Sequence, residues 1–275
     1  MSIDLEPVAS ASANRSDSQC LLSADGYSYY ALDLAHVDDP TSHPVVRCCE
    51  HMEAASWNPQ ANFAQYIANC SFLLYAVHER DGATAAFIAL TVWQEGDRAV
   101  VVGEEAMVHP DHRRAGLSSK TGWLAIQGLV AFLGRNGLSH AYGVVLTCSP
   151  VLMDMLWRYR AALAPTSFDA HDALEPVARD YLERFGYRPL DQDVPWFVEG
   201  AFPGCTKQPR GREEFPAVDA LLPPNFDYNT RGDSLLFVCD VKVETVAAFA
   251  KMMLRQWCDA EQITRIDLAP GRTGI

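Results

Sequence analysis

Glu104-Glu105-Ala106-Met107-Val108-His109-Pro110-Asp111-His112-Arg113-Arg114-Ala115-Gly116-Leu117-Ser118-Ser119-Lys120 is the stretch that decides the reading of this chain. An apolar strand runs out at Val108, a proline and a glycine break the chain, and a helical pattern starts just beyond. The spacing predicts a helix over Ser119 to Asn136, with Trp123, Ile126, Val130 and Leu133 on one face, a serine available as N-cap and Gly137 past the end. Such a strand, turn and helix start aims free backbone N–H groups of the first helical turn beyond the strand, and the helix dipole favours an anion there. Arg113, Arg114 and Lys120 outnumber Asp111 in this turn, and His109 and His112 add two imidazoles.

Working outward, Ser71 to His78, Thr84 to Trp93 and Ala99 to Val108 are strand-like runs separated by Asp81-Gly82 and Glu95-Gly96-Asp97, which predicts an antiparallel meander. Tyr27 to Ala35 has strand composition, and Val45 to Ala55 and Ala61 to Asn69 have helical spacing. After the central helix, Leu138 to Thr147 returns as a strand, parallel to its predecessor across a right-handed crossover. Val151 to Leu163 and Val177 to Phe185 read as helices, the second stopping at Gly186. Beyond Pro189 prolines punctuate a long irregular stretch before a strand at Asp233 to Val241, a helix at Val243 to Trp257 and a strand at Ile263 to Ala269.

The chain's 275 residues suffice to bury roughly three quarters of the unfolded surface. With 22 basic and 35 acidic side chains, the net charge of −13 argues against a nucleic-acid partner held by many phosphate contacts and against an anionic membrane surface. The local basic turn on this acidic background points instead to one specific anion. No run of 18 apolar residues occurs, so no membrane span is expected. The eight cysteines form no CxxC pair and no zinc-type spacing with histidines, which fits buried free thiols in the cytoplasm and no metal site. Residues 1–25 read as a flexible tail, 26–200 as the main domain and 201–275 as a C-terminal extension.

The order of meander, basic turn, helix, strand and a further helix ending in Phe185-Gly186-Tyr187 resembles the GNAT acyltransferase superfamily, over about residues 27 to 200. In that family the turn reads Gln/Arg-x-x-Gly-x-Gly/Ala. Arg113 and Gly116 match it, and Ser118 departs at the last position. Tyr181-Leu182-Glu183-Arg184-Phe185-Gly186-Tyr187 is similar to the family's second signature. The resemblance implies an α+β fold with a central mixed, mostly antiparallel sheet flanked by helices. It also implies acetyl-CoA or another acyl-CoA as cosubstrate of an N-acyltransferase, and the amine of a small or amino-acid-like molecule as acceptor. Under it, the backbone of Arg113, Arg114, Ala115, Gly116, Leu117, Ser118 and Ser119 wraps the coenzyme's pyrophosphate. The strand end at Met107 and Val108 splays from its parallel neighbour and pairs with the pantetheine arm.

Direct transfer needs a base for the ammonium proton and an acid for the leaving thiolate. Glu105 is the first candidate base. Alternation places Glu104 on the opposite face, so one of the two faces the cleft. For the acid, the family's tyrosine falls on Leu182, leaving Tyr181 one step of about 100° away, with Tyr159 and Tyr142 as other donors. His140 and Cys148 read more readily as core groups than as nucleophiles, and His109 and His112 as anion contacts or exposed turn residues. A non-catalytic acyl-CoA binding or sensing protein on the same fold is the alternative. For residues 201–275 three roles stand open: covering the acceptor cleft, pairing two copies as a homodimer, or forming a strand-helix-strand appendage.

Overall fold

A computed structural model of the chain describes residues 18–58, 63–169, 172–204, 210–242, 244 and 247. In chain order the elements are β1 (Ser18–Ala24), β2 (Tyr27–Asp33), α1 (Pro44–Ser56), α2 (Phe63–Ala68), β3 (Phe72–His78), β4 (Thr84–Glu95), β5 (Arg98–Val108), α3 (Leu117–Arg135), β6 (His140–Thr147), α4 (Pro150–Leu163), α5 (Glu175–Phe185), β7 (Pro189–Asp191), β8 (Val194–Val198), α6 (Pro216–Asp219) and β9 (Ser234–Lys242). Hydrogen-bonded strands follow the order β1-β2-β3-β4-β5-β6-β9-β8-β7. The fold is the expected α+β class: β5 and β6 form a parallel pair, and the other registered pairs are antiparallel.

The chain divides into two compact units. The first contains β1 to β3, β4 as far as Val92, β5 from Glu104, and α1 to α3. Its strands alternate. Tyr30, Tyr75 and Phe87 stand in one cross-strand row, and Leu32, Leu73 and Ala89 in the next, all on the face that joins the core. Against that face α1 lays Val45, Val46, Cys49 and Met52, and α2 lays Phe63, Ala64 and Ile67, the spacing of one helical stripe. Each large apolar side chain buried in this way contributes roughly 1.5–3 kcal/mol. Asp25 and Gly26, both at positive φ (54° and 79°), close the β1–β2 hairpin as a two-residue turn whose twist matches its strands.

The second unit contains Trp93 to Gly103 of β4 and β5, then β6 to β9 with α4 to α6. Here β6 pairs with β5 from Ala99–Ala141 to Gly103–Val145. On its other edge it pairs with β9 along its whole length, from His140–Lys242 to Thr147–Leu235. Val100, Val102, Val144, Leu146, Leu236 and Val238 share a core with Ala178, Tyr181 and Leu182 of α5. Asp233 has no exposed surface. Its carboxylate accepts from the backbone N–H of Gly200 (3.0 Å) and Asp227 (2.8 Å) and from Arg231 Nε (2.7 Å), which ties the proline-punctuated stretch to the start of β9. Arg212 reinforces it, pairing with Asp219 and donating to the Pro223 and Phe226 carbonyls at 3.3 Å each.

Several expectations change. Ser18–Ala24, read as part of a flexible tail, is β1 paired with β2. The 201–275 extension does not stand apart from the sheet: β9 lies between β6 and β8. Apart from Glu244 and Ala247, the helix expected at Val243 to Trp257 lies outside the described residues, as do the strand expected at Ile263 to Ala269 and the first 17 residues. Cys20 is exposed, whereas Cys48, Cys49, Cys70, Cys148 and Cys239 are buried free thiols. Burial pushes the Cys239 thiol up to about 12. Among the described residues no helix is long and apolar enough to cross a membrane, and no cluster of His, Cys, Asp and Glu could hold a metal ion.

Candidate functional site

The turn after β5 is built by short-range rules. The His109 backbone N–H donates to the Ala85 carbonyl (2.9 Å), which holds the strand exit against β4. His109 Nδ1 accepts from the Asp111 N–H (3.3 Å) and caps a single 3-10 turn over Pro110–His112. Arg114 follows at φ 71° and Gly116 at φ 72°, two left-handed residues with Ala115 between them. Backbone conformations that change hand in this way form concave arrays of N–H groups that hold anions. Gly116 is the N-cap of α3, no side chain caps the helix, and the first bond back to Gly116 is the Lys120 N–H to its carbonyl (3.1 Å). The N–H groups of Leu117, Ser118 and Ser119 are therefore the orphan donors of the first turn.

The serine expected as N-cap lies inside the helix. Leu117, 1% exposed, anchors the helix start two residues earlier. A Cβ at Gly116 would meet nothing within 4 Å, so the glycine is required by its φ and the space over it is open. Arg113, Arg114, Gly116 and Ser118 are exposed, and Ala115 and Ser119 half-buried. Lys120, counted in the basic turn, is buried and its ammonium pairs with Asp25. The two arginines are thus the cations the turn presents. Along α3, Trp123 and Leu133 of the expected face are buried, as are Leu117, Thr121 and Leu124, while Ile126 and Val130 are half-buried.

An aromatic and imidazole cluster braces the turn from behind. The Tyr27 hydroxyl and His112 Nδ1 lie 3.1 Å apart, and the His112 ring is 5.0 Å from that of His78 and 5.8 Å from that of His109. Burial, then the neighbouring His78 and His109, lower the His112 pKa. His78 in turn pairs with Asp81 (3.0 Å).

Glu104 and Glu105 enter from the second half of β5. Tyr66 of α2 donates its hydroxyl to the Glu104 carboxylate and lies as close to the Glu104 carbonyl (3.0 Å each). Although the Tyr66 residue is 39% exposed, desolvation of its hydroxyl, then Glu104 and Glu105, raise its pKa. Glu105 accepts from the Ala106 N–H (3.2 Å). Both carboxylates reach the Cys70 thiol electrostatically: burial first, then Glu104, push it up to about 12. Met107 is buried in the core with α1 and α2, and Val108 is half-buried at the strand end. The registered pairing with β6 stops at Gly103.

Tyr181 belongs to the other unit. It is 4% exposed and packs with Phe185 (4.7 Å between centroids) and Tyr187 (6.2 Å). Gly186 at φ 70° ends α5, its N–H bonding to the Glu183 carbonyl (3.2 Å), and the Tyr187 N–H bonds to the Leu182 carbonyl (2.9 Å). Leu182 points into the core. Of the other candidates, Tyr142 pairs with Arg98, His140 lies 3.4 Å from Asp240, and Cys148 is buried. Tyr66, Asp25, Tyr27 and His78 were not singled out in the sequence. Each acts on the turn or on Glu104 from 30 or more positions away, a separation that leaves no local pattern.

No protein family matches the sequence, and no curated protein does. Among solved structures the chain is similar to the ribosomal-protein-S18-alanine N-acetyltransferase from Escherichia coli, at 14% identity over 72% of this chain and 88% of that one, with a TM-score of 0.34. It is also similar to NAA60 from Arabidopsis thaliana in complex with acetyl-CoA (14% identity, 71% and 94% covered, TM-score 0.34). A GNAT family N-acetyltransferase from Escherichia coli in complex with CoA shares 14% identity over 40% of this chain and 61% of that one, with a TM-score of 0.31.

Proposed function

We propose that the chain is an acyl-CoA dependent N-acyltransferase working by direct transfer. The observation that carries this reading is the turn itself. An uncapped helix start follows two left-handed residues, Arg114 and Gly116, and exposed Arg113 and Arg114 flank open space. A pyrophosphate suits that donor set, because backbone N–H groups and a helix dipole meet its charge without a metal ion. The residues from Arg113 to Ser119 hold it, and the backbone around Met107 and Val108 pairs with the pantetheine arm.

In the transfer, the base removes a proton from the acceptor's ammonium group, the amine nitrogen bonds to the thioester carbonyl carbon, and the C–S bond breaks as the nitrogen gives up its second proton to solvent and the thiolate takes one from the acid. Glu105 is the base in this proposal. Glu104, held by Tyr66, is the second carboxylate, and Tyr181 is the candidate acid. The acceptor is a small-molecule or amino-acid-like amine.

Thiol release from acetyl-CoA across a panel of amines tests the reading, with Glu105→Gln as the control. Loss of a general base lowers kcat by about 10²–10⁴-fold while leaving coenzyme binding intact. No thermal stabilisation by CoA would overturn the proposal at the turn. Saturable binding with no thiol release from any acceptor would favour a non-catalytic acyl-CoA sensor.

A further inference from the structure

The second unit contains a cavity of about 260 Å³ whose lining, Tyr181 apart, has no part in the proposed transfer. Its walls are Trp93 at the end of β4, Arg98 and Val100 of β5, Tyr142 of β6, and Asp180 and Tyr181 of α5. Three aromatic rings and one cation–anion pair of side chains therefore converge on one space. The Arg98 guanidinium lies 5.1 Å from the Tyr142 ring centroid and donates to its hydroxyl, which fixes both groups at the wall. From α5, Arg184 stacks over Trp93 at 4.5 Å and holds that indole.

Two features of the lining point to an occupant. Arg98 and Asp180 carry opposite charges but form no ion pair with each other among the described residues; Arg98 lies 3.8 Å from Asp97 of the adjoining turn. The Trp93 indole nitrogen is buried with no hydrogen-bond partner among the described residues, a donor that the lining itself leaves unanswered. The volume sits just below the roughly 300–1,000 Å³ of sites for drug-sized ligands, so the occupant is smaller than those.

We propose that this cavity binds a small aromatic zwitterion of the free amino-acid type. The ligand's ring packs against Trp93, Tyr142 and Tyr181, its carboxylate meets Arg98, and its ammonium group meets Asp180. Flat rings against aromatic walls provide apolar contact with defined geometry. The two charge-assisted contacts fix the orientation and exclude ligands that lack either charge. Nothing in this binding requires coenzyme, so it stands or falls separately from acyl transfer.

Calorimetric titration of the full chain, without coenzyme, tests the site with L-phenylalanine and L-tryptophan against phenethylamine, which lacks the carboxylate, and 3-phenylpropionate, which lacks the amine. Saturable binding of an aromatic amino acid, weakened about tenfold or more by either truncation, is the expected result. Asp180→Asn should weaken the amino acid by about tenfold and leave 3-phenylpropionate unchanged. Arg98→Gln should do the converse with phenethylamine. Should Arg98→Gln fail to fold, the exposed Asp180 keeps the test intact. Absence of saturable binding by both amino acids, or binding indifferent to Asp180→Asn, overturns the proposal.

Discussion

Arg114 and Gly116 occupy the same left-handed region with opposite consequences. A side chain in that region costs roughly 1–2 kcal/mol, and Arg114 bears this strain at φ 71° while Gly116 avoids it at φ 72°. Gly116→Ala should therefore destabilise the protein by about 1 kcal/mol, although its Cβ would meet no neighbour. Arg114→Gly should raise stability by up to about 1 kcal/mol and weaken coenzyme binding through the lost charge. Urea midpoints and CoA titrations of the two variants check both signs. Arg113, Arg114 and Gly116 were legible in the sequence because the demands on them are local. Tyr66 was not, because its link to Glu104 spans 38 positions and depends on how α2 packs. Its hydroxyl also separates the two carboxylates. Tyr66→Phe removes the hydroxyl that holds the Glu104 carboxylate and leaves the Ala106 N–H bond to Glu105 in place. If Glu104 is the working base, kcat falls as its carboxylate loses its position. If Glu105 is, kcat stays unchanged.

Elements show where local reading holds and where it fails. The meander, α3, β6 and the C-terminal end of α5 were legible because alternation, helical spacing and glycine stops are written within each segment. β1 was missed: Ser18-Gln19-Cys20-Leu21-Leu22-Ser23-Ala24 carries little strand composition, and its conformation comes from pairing with β2. β7 and β8 span only Pro189–Asp191 and Val194–Val198, too short for a period to register. The turn before α3 owes its setting to other elements as well, since Tyr27 opens β2 and His78 ends β3 behind His112. This contact makes the turn sensitive to pH. Burial, then His78 and His109, depress the His112 pKa against the weaker pull of Asp81 and Asp111, and Tyr27 faces the same ring. A histidine depressed in the folded state is protonated first in the unfolded chain. Its contribution is intact above the ordinary imidazole value of about 6.5 and is lost as pH falls below it toward the folded value. Urea midpoints should decline as pH drops through that window, and His112→Gln should flatten the decline.

At the scale of the whole chain, the least legible step was the return of a distant segment into the sheet. β9 arrives 87 residues after β6 ends and pairs with it from Thr147–Leu235 to His140–Lys242, a partnership that no local pattern encodes. Asp233 secures the entry to that strand. Desolvation works to raise its pKa, yet Arg231 and the N–H groups of Asp227 and Gly200 outweigh it, and the carboxyl is held below the usual carboxylate range. A carboxylate depressed on folding adds stability above its unfolded pKa of about 3.9, and that stability is lost as pH falls through the lower folded value. Asp233→Asn removes the charge that Arg231 meets while keeping the side chain's size, and it places an amide N–H₂ where two backbone donors and Arg231 converge. Breaking a buried, hydrogen-bonded pair of this kind costs about 3–5 kcal/mol; with Arg231 partly exposed, the lower end of that range is expected at pH 7. The gap between variant and wild type should narrow as pH is lowered below about 4, because the wild-type carboxylate is then being protonated. Denaturant titrations of both proteins at pH 7 and in acid provide the check: an unchanged gap would mean that Asp233 acts through packing and not through its charge.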